Sequence, residues 1–230
     1  MRLNITDINR INTCGILNKN KWNYESSSSS SYLLGMKEVL RWHYKRGKPI
    51  DPQSFMTFLF NLNTKMGLEH EERIALEKAF RDFVNSDFYQ NLSLLYMNYI
   101  TDIKINKLDV LEYVIPCFIN NPARPMFIYY DVGNEPRNIF LQRYEVIHNA
   151  IWSFYNQNKL PTFVRIWFDG EKIRHETFKV DEKYIAKAKR TLVTIGQNTN
   201  IFVVPSIQTC LKCSMIAECS RFNDPSEKRK

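Results

Sequence analysis

The arrangement of the cysteines constrains this chain more than any other feature of its sequence. Three of the five cysteines, Cys210, Cys213 and Cys219, form a C-x2-C-x5-C pattern in the C-terminal part of the 230-residue chain. A two-residue spacing lets a short turn aim two thiolates at one metal centre, and a tetrahedral site or a cubane cluster requires four ligands. Cys14 is the expected fourth ligand, because Cys117 falls in a predicted buried strand. The pattern therefore predicts a site that ties the N-terminal segment to the C-terminal segment.

Two kinds of metal site fit this pattern. Structural zinc sites usually contain two paired C-x2-C elements, whereas this chain has one such pair. Disulfide bonds are disfavoured, because the sequence is typical of an intracellular protein. The spacing thus favours an iron–sulfur cluster, with zinc as the alternative. Such a site closes a loop of most of the chain, and the chain-entropy estimate for that closure is about 4–5 kcal/mol.

Composition and charge limit the class of protein. Hydrophobic residues make up 44% and aromatic residues 13% of the chain, which excludes wholesale disorder. No apolar stretch reaches the about 18 residues that span a membrane, and the first residues lack the pattern of a secretory signal. We therefore expect a cytoplasmic protein without a membrane partner. The 32 basic and 24 acidic residues give a net charge of +8, which favours nucleic acid as a partner. The high content of Asn, Lys and Ile hints at a phage or mobile element.

Hydrophobic periodicity predicts an α/β chain in which helices come first, followed by strands, a helix, a hairpin and a last helix. The predicted helices cover Tyr32–Tyr44, Asp51–Lys65, Glu69–Val84, Ile139–Asn156 and Tyr184–Ile195, the last of them capped by Asp181. The predicted strands cover Leu92–Ile105, Val110–Ile119, Met126–Val132, and a hairpin of Thr162–Phe168 and Ile173–Val180 that turns at Asp169-Gly170. We expect one domain over 1–230, with a helical part (1–90), a sheet-rich core (91–180) and a C-terminal helix with the cysteine motif (181–230).

The single N-terminal cysteine and the C-x2-C-x5-C pattern, with this order of elements between them, resemble the iron–sulfur branch of the PD-(D/E)XK nuclease superfamily. That branch includes the CRISPR adaptation exonuclease and the nuclease domain of the AddAB helicase–nuclease. The resemblance covers nearly the whole chain. It implies a central mixed sheet flanked by helices, with the two ends stapled by a 4Fe–4S cluster on Cys14, Cys210, Cys213 and Cys219.

The metal site of that family is incomplete in this sequence. Such nucleases bind Mg²⁺ or Mn²⁺ through an Asp on one strand and an Asp or Glu two residues before a Lys on the next. On the first of these strands, Pro116–Ile119 hold no carboxylate. If the second strand is aligned on Gly133, Asp131 stands where the Lys belongs and Tyr129 where the acid belongs. A shift of two residues makes Asp131 the acid but puts Gly133 in place of the Lys. The resemblance thus implies a degenerate site, with Mg²⁺ or Mn²⁺ bound only if activity survives.

A literal D-x-K sequence occurs elsewhere in the chain, at Asp102-Ile103-Lys104. It lies one strand too early, and a surface strand commonly alternates charged residues. In the PD-(D/E)XK family, the helix after the strand that holds Asp131 should carry Gln-x-x-x-Tyr. Gln142 is present there, but Val146 stands where the Tyr belongs. The catalytic candidates are therefore Asp131, Asp102 and Lys104.

Two basic clusters are candidates for binding nucleic acid. Residues three apart share a helix face, and an aromatic ring beside basic groups suits stacking on single-stranded bases. The clusters comprise Lys187 and Arg190 in the last predicted helix, and Arg41, Trp42, Lys45 and Arg46 in the first. The alternative for each cluster is a solvated helix face.

These features together lead us to infer a catalytically inactive, nuclease-like protein. It would bind nucleic acid, with DNA favoured, or act as a subunit of a nucleic-acid-processing assembly. The first alternative is an active Mg²⁺- or Mn²⁺-dependent exonuclease of single-stranded DNA. The second alternative is a purely structural protein-interaction subunit, which predicts weak, salt-insensitive DNA binding and an exposed apolar patch.

Overall fold

A computed structural model of the chain describes residues 2–4, 31–93, 95–105, 108–131, 133–197 and 219. The helices are α1 (Ser31–Arg46), α2 (Pro52–Met66), α3 (His70–Val84), α4 (Asp87–Gln90), α5 (Arg137–Phe140), α6 (Tyr144–Gln157) and α7 (Glu182–Gln197). The strands are β1 (Arg2–Asn4), β2 (Leu95–Ile105), β3 (Leu108–Ile119), β4 (Met126–Asp131), β5 (Thr162–Phe168) and β6 (Ile173–Lys179). Among these described elements, no helix is both long enough and apolar enough to cross a membrane.

The described residues fall into two compact units. The larger unit takes its residues from 29–101 and 114–188, and the smaller one from 1–28, 102–113 and 189–230. In the smaller unit, β1 runs parallel to the first part of β3, with Arg2 opposite Asp109. The organisation of the whole chain as one domain stays a prediction.

The larger unit is built on a mixed sheet. The end of β3 is antiparallel to β4, with Phe118 opposite Phe127. Strand β4 is parallel to β5, and β5 is antiparallel to β6. Helix α6 lies between the two parallel strands in the sequence, as the connection of parallel neighbours requires. The predicted α/β fold with a mixed central sheet flanked by helices is confirmed.

Helices α1, α2 and α3 pack on one face of this sheet. Helix α2 begins where predicted, because the Asp51 carboxylate accepts a hydrogen bond of 2.8 Å from the Ser54 amide. Gly35 in α1 faces the ring of Phe80, and a Cβ at this position would lie 2.7 Å from that ring. The buried residues of this core include Met36, Leu40, Phe55, Leu59, Phe80, Ile128 and Val164.

Helix α6 covers the opposite face of β4. Successive residues of a strand point to opposite faces, so Phe127 and Tyr129 point away from the core that holds Ile128. The Phe127 ring contacts Trp152 of α6 with its centroid 6.1 Å away. Both faces of the sheet are therefore covered by helices, and the pocket at the end of β4 described below lies beside α6.

One predicted helix is divided in the structure. The sequence predicts a continuous helix over Ile139–Asn156, whereas a turn separates α5 from α6. Tertiary contacts hold this turn open, because the Tyr184 hydroxyl donates a hydrogen bond of 2.6 Å to the Leu141 carbonyl. Arg143 has extended backbone at the start of α6 and directs its side chain to Asp131. The break places Arg143 beside the sheet, where a continuous helix would not have put it.

Candidate functional site

The candidate site lies at the carboxyl end of β4. Asp131 is the last residue of β4 and stands opposite Trp167 near the end of the parallel strand β5. Open α/β sheets usually bind ligands at this edge. A pocket of about 450 Å³ opens there, lined by Leu33, Tyr130, Asp131, Gly133, Asn134, Glu135 and Arg143.

Three carboxylates surround the guanidinium of Arg143. Its Nη1 atom lies 2.8 Å from Oδ1 of Asp131, and its Nε atom lies 2.6 Å from Oε1 of Glu135. A carboxylate oxygen of Glu145 lies farther away, 3.9 Å from Nη1. The Asp131 side chain is 13% exposed and that of Arg143 is 27% exposed. The pocket therefore contains a partly buried ion-pair network with more acidic than basic groups.

The electrostatics of this network favour a permanently charged guanidinium. Burial alone would lower the pKa of Arg143, but the hydrogen bond and charge of Asp131, together with Glu135 and Glu145, outweigh it and raise the pKa. Burial raises the pKa of Glu145, and the neighbouring carboxylates raise it further against the opposing effect of Arg143. Glu145 is therefore protonated more readily than an ordinary glutamate, while Arg143 keeps its charge.

Three buried oxygen atoms at this edge have no hydrogen-bond partner in the described part of the chain. They are Oδ2 of Asp131, Oε1 of Glu135, which forms an ion pair with Arg143, and the hydroxyl oxygen of Tyr32, whose side chain is 4% exposed. Burial and, secondarily, the charge of Asp131 raise the pKa of Tyr32. A neutral hydroxyl donor and a carboxylate acceptor thus lie in the same region of the protein.

Arg165 of β5 fixes the loop that carries Glu135. It is 1% exposed, and its Nη1 and Nη2 atoms each donate a hydrogen bond of 2.6 Å, to the Glu135 carbonyl and to Oδ1 of Asn134. Its guanidinium also lies over the rings of Phe140, Trp167 and Phe178. Arg165 was not among the site residues predicted from the sequence. The signal was a charged residue in the middle of the otherwise apolar strand TFVRIWF.

The positions that hold metal ligands in the PD-(D/E)XK pattern have other roles here. Cys117 and Phe118 of β3 are buried, and burial raises the pKa of the Cys117 thiol to about 12. Tyr129 is buried as well, and its hydroxyl accepts a hydrogen bond from Asn149 and donates one of 3.3 Å to the Glu145 carbonyl. These side chains pack or join hydrogen bonds within the protein.

The other catalytic candidates do not join Asp131 in the larger unit. Asp102 and Lys104 belong to the part of β2 assigned to the smaller unit, where Lys104 is exposed and the Asp102 side chain lies outside the described residues. Gln142 is exposed in the turn before α6, and Val146 is buried.

The predicted cysteine site falls mostly outside the described residues. Cys14, Cys210 and Cys213 lie outside them, and Cys219 is half-buried. Among the side chains that the structure does describe, no three of His, Cys, Asp and Glu are arranged to hold a metal ion. The cysteine cluster stays a prediction.

The predicted nucleic-acid residues of α1 lie at its C-terminal end. Arg41, Lys45 and Arg46 are exposed, and Trp42 is half-buried against the core of α1–α3. The Arg46 guanidinium lies over the Trp42 ring, 4.9 Å from its centroid, and Arg41 pairs with Glu38 at 3.2 Å. In α7, Lys187 and Arg190 are both exposed. The α1 residues thus form a basic surface beside an aromatic ring.

Comparison with known proteins relates this fold to solved structures. The crystal structure of a protein from Eubacterium rectale, provisionally named an exonuclease, matches with a TM-score of 0.52 and 10% identity, over 96% of this chain and 88% of that chain. The structure of SSO0001 matches with a TM-score of 0.36 and 8% identity, over 95% of this chain and 85% of that chain, which is too low to support any inference. No family model matches the chain, and no curated protein matches it. The chain therefore shares its overall fold with the protein from Eubacterium rectale.

Proposed function

We propose that this chain is a nuclease-like protein that binds nucleic acid, DNA in preference, without cleaving it. The observation that carries the proposal is the ion pair between Arg143 and Asp131 at the carboxyl end of β4. A hydrolytic nuclease of this kind needs a divalent ion to activate water at the phosphate. The one candidate metal ligand on β4 is instead engaged by a guanidinium, which supplies no water nucleophile.

Binding of nucleic acid requires less than its hydrolysis. Phosphates are held by positive charge and by hydrogen-bond donors, without a metal ion. The C-terminal end of α1 offers exposed Lys45 and Arg46, with the Arg46 guanidinium stacked over Trp42. The net charge of +8 adds long-range attraction for a polyanion. We therefore assign the phosphate contacts to this end of α1.

The test is a titration of labelled single-stranded DNA at several salt concentrations. The wild-type chain should bind with strong salt dependence, since each neutralised phosphate contributes a slope of about −0.7 in log K against log salt for single strands. Lys45→Gln with Arg46→Gln should weaken binding and flatten the slope. The matched control is Lys65→Gln with Lys78→Gln, at exposed lysines of α2 and α3, and it should bind like the wild type. Equal loss in both double variants would contradict the assignment to α1.

A metal-dependent exonuclease is the second candidate, favoured by the carboxylates of Asp131, Glu135 and Glu145 around one pocket edge. It requires the Arg143 side chain to leave the network so that a divalent ion can enter. It predicts degradation of single-stranded DNA in Mn²⁺ that Asp131→Ala abolishes. The same assay on Asp102→Ala tests the D-x-K sequence of β2.

A protein-interaction subunit is the third candidate, favoured by exposed apolar side chains. Phe60 of α2 is 51% exposed and Ile74 of α3 is 50% exposed. This candidate predicts DNA binding that is weak and insensitive to salt. Phe60→Ser would then reduce association with a protein partner and leave the DNA titration unchanged.

We also propose that Cys14, Cys210, Cys213 and Cys219 hold a 4Fe–4S cluster. The spacing of the three C-terminal cysteines supports this assignment, and thiolates are the ligands such clusters take. Anaerobic purification should give a brown protein with about four irons per chain, in keeping with the cluster type. Cys213→Ser should lose iron and lower the melting temperature, because metal binding and folding are linked. A colourless protein with one zinc would establish the zinc alternative instead.

A further inference from the structure

We propose that the guanidinium of Arg143 is the resident cation of the pocket, in the place of the divalent metal ion that the nuclease-like fold implies. This inference rests on the proposed function and specifies why the site would not hydrolyse nucleic acid. It assigns a role to a residue that the sequence pattern of the family does not mark.

The geometry fits a guanidinium, and among the described side chains no three of His, Cys, Asp and Glu are placed to hold a metal ion. Mg²⁺ demands oxygen ligands at about 2.0–2.1 Å in octahedral directions. Here Oδ1 of Asp131 accepts a hydrogen bond of 2.8 Å from Nη1 of Arg143, and Oε1 of Glu135 forms an ion pair with Nε of the same guanidinium at 2.6 Å. The two carboxylates therefore lie beside two different nitrogen atoms of one forked cation. Arginine suits this place because the N–H groups of its planar guanidinium match the geometry of carboxylate oxygens. The group also stays protonated at every accessible pH.

The location of Arg143 in its helix argues for a specific purpose. Arg143 is the N-cap residue of α6 and makes no side-chain capping bond. Ser, Thr, Asp or Asn would be preferred there, and the partial positive charge of a helix N-terminus disfavours a cation. The ion pairs with Asp131 and Glu135 outweigh this local cost. A residue that breaks a local rule in exchange for tertiary contacts commonly marks a functional position.

The neighbouring arginine does not provide the same neutralisation. The Nη atoms of Arg165 are engaged by the Glu135 carbonyl, Asn134 and the Glu176 carboxylate. Loss of the Arg143 guanidinium would therefore leave Asp131, whose side chain is 13% exposed, beside other carboxylates without a cation. Such an uncompensated charge is strongly destabilising.

The first test measures Mn²⁺ binding by the loss of the free-ion signal in electron paramagnetic resonance. Wild type and Asp131→Asn should give superimposable titrations, because Asp131 holds no metal in either protein. Comparison of the two removes any contribution from Mn²⁺ bound elsewhere on the chain. A stoichiometric site that is present in the wild type and lost in Asp131→Asn would overturn the proposal.

The second test measures thermal unfolding of Arg143→Met, which keeps an unbranched apolar side chain and removes the guanidinium with its charge. Its melting temperature should fall by about 10 °C at pH 8, as expected for a broken, partly buried ion pair in a chain of this size. Burial raises the pKa of Glu145 in the folded chain, and the substitution removes the opposing effect of Arg143. The penalty for the ionised Glu145 is therefore full at high pH and fades as pH falls, so the loss should be smaller at pH 5.

Two further variants complete this test. Asp131→Asn introduced into Arg143→Met should recover part of the loss, and Arg143→Lys should lose less than Arg143→Met. Arg46→Met is the matched control, the same substitution at an exposed position, and it should melt like the wild type. An Arg143→Met protein that melts like the wild type at both pH values would overturn the proposal, and if this variant does not fold, the Mn²⁺ titration still decides. Both tests run without nucleic acid, so a failure of DNA binding is seen separately.

Discussion

The pocket at the end of β4 and the C-terminal end of α1 use arginine in opposite ways. In the pocket, Arg143 is 27% exposed and bound to carboxylates on β4, in the following loop and on α6. At the end of α1, Arg46 is exposed and lies over the Trp42 ring. The same functional group is thus internal and neutralised in one region, and open to solvent in the other.

This difference predicts that the pocket contributes mainly to the stability of the fold and the end of α1 mainly to the binding of a polyanion. Charges that neutralise one another in a low-dielectric region stabilise the fold and leave little for a ligand. Charges on an exposed helix end contribute little to stability and remain available to a polyanion. Substitutions in the pocket should therefore change stability first, and substitutions at the end of α1 should change binding first.

The largest expected effect comes from Arg165→Met, which removes the side chain that holds the Glu135 loop. The variant loses two 2.6 Å hydrogen bonds from a guanidinium that is 1% exposed. Since hydrogen bonds to charged groups contribute about 1.5–3 kcal/mol each, we expect a loss of about 3 kcal/mol or more in unfolding free energy. Urea denaturation measures it. A loss below about 1 kcal/mol would show that this loop does not depend on Arg165.

A smaller effect is expected for Tyr129→Phe, at the position where the nuclease pattern has an acid. The variant loses the hydrogen bonds that its hydroxyl makes with Asn149 and with the Glu145 carbonyl. We expect a loss of about 1–2 kcal/mol, because the buried Asn149 amide is left without this acceptor. Chemical denaturation measures the stability, and the DNA titration should be unchanged. Altered DNA affinity with unchanged stability would make Tyr129 part of a binding surface instead.

The next effect is a dependence on pH at Glu145. Burial raises the pKa of this glutamate in the folded chain, so its ionised form disfavours folding as pH rises above the value in the unfolded chain. Glu145→Gln removes the destabilising effect of this ionised carboxylate. The stability of the variant relative to the wild type should therefore be greater at pH 7 than at pH 4. Denaturation at the two pH values checks this difference, and a relative stability that is greater at pH 4 would contradict the assigned direction.

The smallest effect on stability is expected for Arg46→Met at the end of α1. An exposed substitution usually changes unfolding free energy by no more than about 0.5 kcal/mol. The loss of one phosphate contact should nevertheless reduce the affinity for single-stranded DNA and its dependence on salt. Fluorescence anisotropy measures both quantities. If stability fell sharply while binding stayed constant, the contrast between the two regions would be wrong.

Much of the fold could be predicted because its signals are local. Asp181 caps α7 as expected, by accepting a hydrogen bond of 2.8 Å from the Tyr184 amide, and Asp51 stands at the predicted start of α2 and caps it. The hairpin at Asp169-Gly170 follows from its turn residues, and Gly170 has a φ of 97° that suits glycine. The single-turn helices α4 and α5 were not predicted, because four residues give too little periodicity to detect.

The candidate site was predictable only in part. Asp131 was identified from its place on a strand before Gly133. Its partner Arg143 was not, since periodicity placed that residue inside a continuous helix and no local pattern encodes a cation twelve positions away on another element. Arg165 is likewise defined by contacts with a loop thirty residues earlier in the chain. Long-range ion pairs of this kind follow from the packing of the sheet and α6.

The most direct test of the account follows one labelled single-stranded DNA with the wild-type chain in Mn²⁺, recording binding by anisotropy and integrity on a denaturing gel. If Arg143 is the cation of the pocket, the DNA should be bound and stay intact, with the same result for Asp131→Ala. Degradation by the wild type that Asp131→Ala abolishes would contradict it, and would mean that Arg143 gives way to a catalytic metal ion.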